Sequence, residues 1–120
     1  MTAIKSYTDI EQSRKLAEIL PLESADYHYI AQGEKSYFYP YSLPNDAVKD
    51  YDEEIKYIPC WSLAALLKTL NFPSLTQNKE DEWEVCVFDH DNDDYIEKTA
   101  SNPVDTCYEM ILYLRDKNLL

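Results

Sequence analysis

The chain is 120 residues long and 45% hydrophobic, and its 23 acidic side chains outweigh 11 basic ones for a net charge of -12. A chain of this size closes a core without disulfide or metal staples, so a single domain over 1–120 is expected. The charge repels phosphate backbones and anionic headgroups, which excludes nucleic acid and membranes as partners and makes any charged partner a basic one.

Thr8, Asp9, Ile10 and Glu11 have the spacing of a capping box, with the Thr8 hydroxyl and the Glu11 carboxylate closing free backbone donors. Ile10, Ser13, Leu16, Ala17 and Leu20 follow at helical intervals, and Pro21 stops the run. Two strands are predicted next, over 26–30 and 36–41, joined through Gln32, Gly33 and Glu34. Tyr27, Tyr29, Tyr37, Tyr39 and Tyr41 then fall on one sheet face by the period-two rule.

Pro44, Asn45 and Asp46 break this pattern, and the acids that follow make 42–58 an expected exposed insertion. Pro59 to Leu70 is the clearest helix, with Leu63, Leu66, Leu67 and Leu70 forming a core-facing stripe. Pro59 suits its first turn and Ser62 is an alternative cap. Beyond a polar connection, Trp83, Val85 and Val87 alternate with Glu84, Cys86 and Phe88 as a strand, and 95–99 pairs back across an acidic turn at 89–94. Asn102, Pro103 and Asp105 open a last helix with the apolar face Val104, Cys107, Tyr108, Ile111 and Leu114. The order α-ββ-α-ββ-α predicts an α+β fold, a sheet of about four antiparallel strands covered by three helices.

With Gly33 as the only glycine, unusual backbone turns fall to Asn and Asp, and no glycine-rich phosphate loop can form. No apolar stretch approaches the ~20 residues of a membrane span. The polar opening MTAIKSYTDIEQ is no secretory leader, so Cys60, Cys86 and Cys107 are expected as reduced thiols in the cytoplasm.

Several constellations invite chemistry. The turn Asp89-His90-Asp91-Asn92-Asp93-Asp94 offers Asp89, Asp91 and Asp93 at the first three ligand positions of a calcium loop. Asp94 stands where the loop needs glycine and Ala100 where it needs a bidentate Glu, so a solvated hairpin tip is the competing reading. Cys60, placed at a helix start, has the position of an activated thiol, with His28 and His90 as bases; the alternative is an inert buried cysteine. Two histidines and three scattered cysteines show no zinc spacing. No cofactor, metal or catalytic residue is assigned. The tyrosines read either as a contact surface for a partner or as a face roofed by a helix or by a second copy of the chain.

The segment Ile58-Pro59-Cys60-Trp61-Ser62-Leu63-Ala64-Ala65-Leu66-Leu67, the hairpin around Trp83-Glu84-Val85, and Ala100-Ser101-Asn102-Pro103-Val104-Asp105-Thr106-Cys107-Tyr108-Glu109-Met110-Ile111 together resemble a family of small proteins of phages, prophages and mobile elements of gut bacteria. Lys15-Leu16-Ala17-Glu18-Ile19-Leu20-Pro21 fits the same family, and the latter half is similar to the phage ABA sandwich domain. The resemblance implies a sheet between helix layers and a bacterial cytoplasmic home, and it carries over no functional residue. The family pattern expects a small residue at position 60, and 42–57 has no counterpart in it.

Three functions follow as expectations. The first is a non-catalytic phage or mobile-element accessory protein working by protein–protein contact. A second is a DNA mimic whose acids at 46–54, 80–84 and 89–94 occupy a basic protein. The third is a small metal-dependent hydrolase using the 89–94 turn with His28 or His90.

Overall fold

The computed structural model describes residues 5–32, 35–36, 40 and 55–120. Three helices and two small antiparallel sheets make an α+β protein. Two compact units are formed, Tyr7–Ala65 and Leu66–Leu120, the second joined by Lys5 and Ser6.

In the first unit, helix α1 spans Ile10–Ala17. Its capping box is one residue later than the sequence pattern suggests. Asp9 is the N-cap, accepting from the Gln12 amide at 2.8 Å while the Gln12 side chain accepts from the Asp9 amide at 3.1 Å. Thr8 is displaced from capping because it is fully buried. After Pro21 a single 3-10 turn, Leu22–Ser24, leads into strand β1, Tyr27–Gln32. This strand is central, flanked by the two-residue β2, Lys35–Ser36, and by β3, Ile55–Cys60. Pairs run from Tyr27 opposite Cys60 to Gln32 opposite Ile55, and α1 packs on β3.

Two expectations change here. Residues 55–58 belong to a strand rather than to an insertion, and Pro59 and Cys60 end that strand instead of starting a helix. Pro59 is tolerated because β3 lies at the edge of the described sheet, where a missing N–H costs no ladder bond. Helix α2, Leu63–Thr69, begins after it. Ser62 takes the capping role, its hydroxyl accepting from the Ala65 amide at 3.2 Å. Helix α2 carries the chain from one unit to the other.

The second unit is a meander of β4, Ser74–Gln77, β5, Trp83–Asp89, and β6, Asp94–Ala100, with helix α3, Pro103–Asp116, packed on β5 and β6. Val85 and Val87 on the inner face of β5 are buried, as are Val104, Cys107, Met110 and Ile111 of α3. The α3 start follows its sequence signals: Asn102 caps the Asp105 amide at 2.9 Å, and Pro103 occupies the first turn. The anticipated sheet of about four strands in two hairpins is replaced, among the described residues, by two separate sheets, each with one strand more than its hairpin. Positive φ falls on Asp81, Asp93 and Asn118, as expected of a chain so poor in glycine, and also on Phe72.

Candidate functional site

The first unit turns its polar groups inward and uses them on each other. Thr8 Oγ1 lies 2.8 Å from Ser13 Oγ and accepts from the Trp61 amide at 3.2 Å, while the Thr8 carbonyl accepts the Tyr29 hydroxyl at 2.8 Å. Trp61 is fully buried and its indole N–H donates to Ser24 Oγ at 2.9 Å. The Asp26 carboxylate accepts both the amide and the hydroxyl of Ser62. These bonds satisfy buried donors and acceptors that would otherwise destabilise the fold.

This arrangement decides several sequence-level candidates. Cys60 is fully buried at the end of a strand, with its sulfur 3.5 Å from Thr8 Oγ1 and 3.4 Å from the Thr8 carbonyl. Burial raises its pKa, so it is a poor nucleophile and has no helix terminus to activate it. Cys107 is likewise buried, its thiol pushed up to about 12 by burial. His28 pairs with Pro59 while Cys60 pairs with Tyr27, so imidazole and thiol occupy opposite sheet faces and do not converge. His28 is 3% exposed and its Nδ1 has no hydrogen-bond partner. Its pKa is lowered, first by burial, with Asp26 acting in the opposite direction.

Tyr29 is 4% exposed, a roofed ring of the core. Tyr27 is half-buried with its ring centroid 6.1 Å from that of Tyr7. Tyr37, Tyr39 and Tyr41 lie outside the described residues, as do the acids of 46–54.

The second unit is organised differently. Asp89 closes the β5–β6 hairpin opposite Asp94, and its carboxylate folds over the turn. Oδ1 accepts from the amides of Asp91 at 3.0 Å and Asn92 at 3.4 Å, and Oδ2 accepts from the Asn92 side-chain amide at 2.6 Å. The Asn92 bond is the largest cause of a lowered Asp89 pKa, opposed by desolvation and helped by the two backbone donors. Asp89 thereby shapes the turn. Asp91 and Asp93 are exposed, and Ala100 ends β6. Among the described residues no three of His, Cys, Asp and Glu gather as a metal ion would require.

Alternation along β5 and β6 puts Phe88 and Tyr95, directly paired across the hairpin, on the sheet face away from α3. Their ring centroids are 5.2 Å apart, and His90 meets Phe88 edge-on at 4.7 Å. Tyr95 is 65% exposed, far more than a ring needed for the core. Asp91, Asp93 and Asp94 of the adjoining turn and Glu97, two residues along β6 on the same face, are exposed, and among the described residues none is ion-paired. The nearby cation Lys98 is diverted to the other face, 4.0 Å above the Tyr113 ring.

Beneath the hairpin a hollow of about 420 Å³ opens between the ends of α2, β5 and α3. Val87, Ile96, Leu114 and Leu119 give it an apolar floor, and Asn71, Asp89, His90, Asp91 and Asn118 a polar rim. Sequence reasoning singled out Asp89 and His90 on the acidic turn but missed Phe88 and Tyr95 as a surface pair. Their signal was legible, since counting back from the turn sets 88 opposite 95. The hollow had no such signal, because its walls come from four separate stretches of chain.

No family model, curated protein sequence or solved structure matches this chain. Among the described residues no helix is long and apolar enough to cross a membrane.

Proposed function

We propose that this protein is a non-catalytic accessory protein of a phage or mobile element, acting in the bacterial cytoplasm by binding a basic protein through its β5–β6 hairpin. The observation that carries the reading is the Phe88–Tyr95 pair, a half-buried ring against an exposed one, beside the exposed acids of the turn, which no described ion pair neutralises. Aromatic rings supply most of the energy at protein contacts, and a surrounding field of one sign selects and steers the oppositely charged partner. The net charge of -12 extends that field well beyond the hairpin. Support for the phage or mobile-element setting is the likeness of the 58–67, 83–85 and 100–111 segments to that family.

The test is capture from host lysate over graded salt, with wild type beside two variants. Tyr95→Ala removes the ring, and Asp91→Asn/Asp93→Asn/Asp94→Asn removes charge while keeping a residue that accepts positive φ at position 93. A basic protein retained by wild type at low salt, released by salt and lost in both variants supports the reading. A partner recovered equally by all three, or none at any salt, contradicts it. Should the captured protein be a nucleic-acid binder displaced by competing DNA, the partner's DNA site is the one occupied.

A further inference from the structure

We propose that the hollow under the β5–β6 hairpin is a receptor for one alkyl cation, an ammonium or guanidinium head on a short apolar stem. The proposal deepens the reading above by naming what a basic partner would insert, and it rests on that reading only for the source of the cation.

Size comes first. A cavity of about 420 Å³ lies within the ~300–1,000 Å³ range of small-ligand pockets. It is much too large for a single ion and too small for a folded element. The lining is divided by chemistry: Val87, Ile96, Leu114 and Leu119 offer hydrocarbon, whereas the charged groups are the carboxylates of Asp89 and Asp91. No lysine or arginine is among the lining residues. An anion would meet like charge there, and a purely apolar ligand would leave the rim unused. A side chain or amine with a hydrocarbon stem and a cationic head satisfies both halves, the division of labour seen wherever long basic side chains lie along apolar surface.

The position of Asp89 is the second observation. It is only 8% exposed, yet no ion pair reaches it among the described residues. Its two oxygens provide about four acceptor sites, of which three are occupied by turn donors. Two of the three are on Oδ1, so the free site is on Oδ2, the oxygen that holds only the Asn92 side-chain amide. Ionised carboxylates with little access to water are ordinarily paired with a cation. Here the chain supplies hydrogen bonds and the neighbouring His90 imidazole, and no lysine or arginine, so a full positive charge is left to come from outside.

The experiment is an NMR titration of the full chain with n-butylguanidinium and n-butylammonium, with n-butanol as the stem without a charge and guanidinium as the charge without a stem. Saturable shifts of the Asp91 and Asn92 amides, together with the Val87, Ile96 and Leu114 methyls, are expected for the two alkyl cations. Both controls are expected to bind roughly tenfold or more weakly. Asp89→Asn keeps an oxygen for the turn amides and removes the charge, and it is expected to weaken alkyl-cation binding by a similar factor. Asp91→Asn provides the same test if the first variant disturbs the turn. Equal binding of n-butanol, or no saturable shift with either alkyl cation, overturns the proposal. If the cations bind but lysate capture fails, the receptor stands and the partner reading falls. If capture succeeds and the cations do not bind, the receptor falls and the aromatic face alone carries the contact.

Discussion

Among the described residues, the two units of this chain handle polar groups in opposite ways. In Tyr7–Ala65 the hydroxyls of Thr8, Ser13, Tyr29 and Ser62, the Asp26 carboxylate and the Trp61 indole N–H are bonded to one another or to backbone. In Leu66–Leu120 the strand face under α3 packs with valine, isoleucine and methionine, and the carboxylates and aromatic rings collect on the hairpin and its outer face. Apart from the buried His28 Nδ1, this internal network is satisfied, and a satisfied network specifies one packing and leaves little over for a ligand. An apolar interior with unspent charge and rings outside leaves a surface free to bind. The proposed binding therefore uses the second unit, and the described part of the first is read as its scaffold.

The comparison breaks most readily at Trp61. Replacing this fully buried, hydrogen-bonded ring by alanine is expected to cost about 3–5 kcal/mol in urea unfolding. A loss below about 1 kcal/mol would mean that the first unit is not held together from within.

Next in size is a matched pair of hydroxyl deletions. Thr8→Val strips partners from Ser13 and from the Trp61 amide inside the core, for an expected loss of about 1–3 kcal/mol. Thr106→Val removes a hydroxyl that only donates to the Trp83 and Asn102 carbonyls, and the Asn102 carbonyl keeps the Thr106 amide. About 1 kcal/mol or less is expected there. Equal losses would erase the difference between the units.

A third prediction concerns pH. Burial lowers the His28 pKa below its ordinary 6.5, so the unfolded chain binds this proton more readily than the folded one. Stability from keeping His28 neutral is complete above pH 6.5 and is lost as pH falls through that value toward the folded pKa. The urea midpoint should therefore drop between neutral pH and about pH 5, above the carboxylate range, and His28→Gln should flatten the drop. An unchanged midpoint in wild type would place His28 in water.

The amount of this that was legible in the sequence follows the same division. Helix α3 was readable to its cap because Asn102, Pro103 and Asp105 are local signals that tertiary structure had no reason to override. The β5–β6 hairpin was readable from alternation about an acidic turn. Strand β3 was hidden because Pro59 resembles a helix start, and only pairing with β1 reveals it as an edge residue. Strand β4 is short, polar and mostly exposed, so it carried no apolar alternation to detect. Thr8 looked like a cap and became a core residue, since Asp9 caps as well and is better left in water. Local chemistry was visible wherever it acts locally. The hollow and the hydroxyl network depend on residues that meet only after folding.

The smallest expected effect on folding is also the sharpest contrast. Tyr95→Ala, at a ring 65% exposed, is expected to change stability by no more than about 0.5 kcal/mol while weakening partner binding. A large loss of stability would mean that the ring is a structural element.

The central claim is tested most directly by the salt dependence of affinity for the captured partner, measured for wild type and for Asp91→Asn/Asp93→Asn/Asp94→Asn. Steep weakening of wild-type binding with salt, against weak and nearly salt-independent binding by the variant, is the predicted result. Identical affinities and identical salt dependence in the two proteins would contradict it.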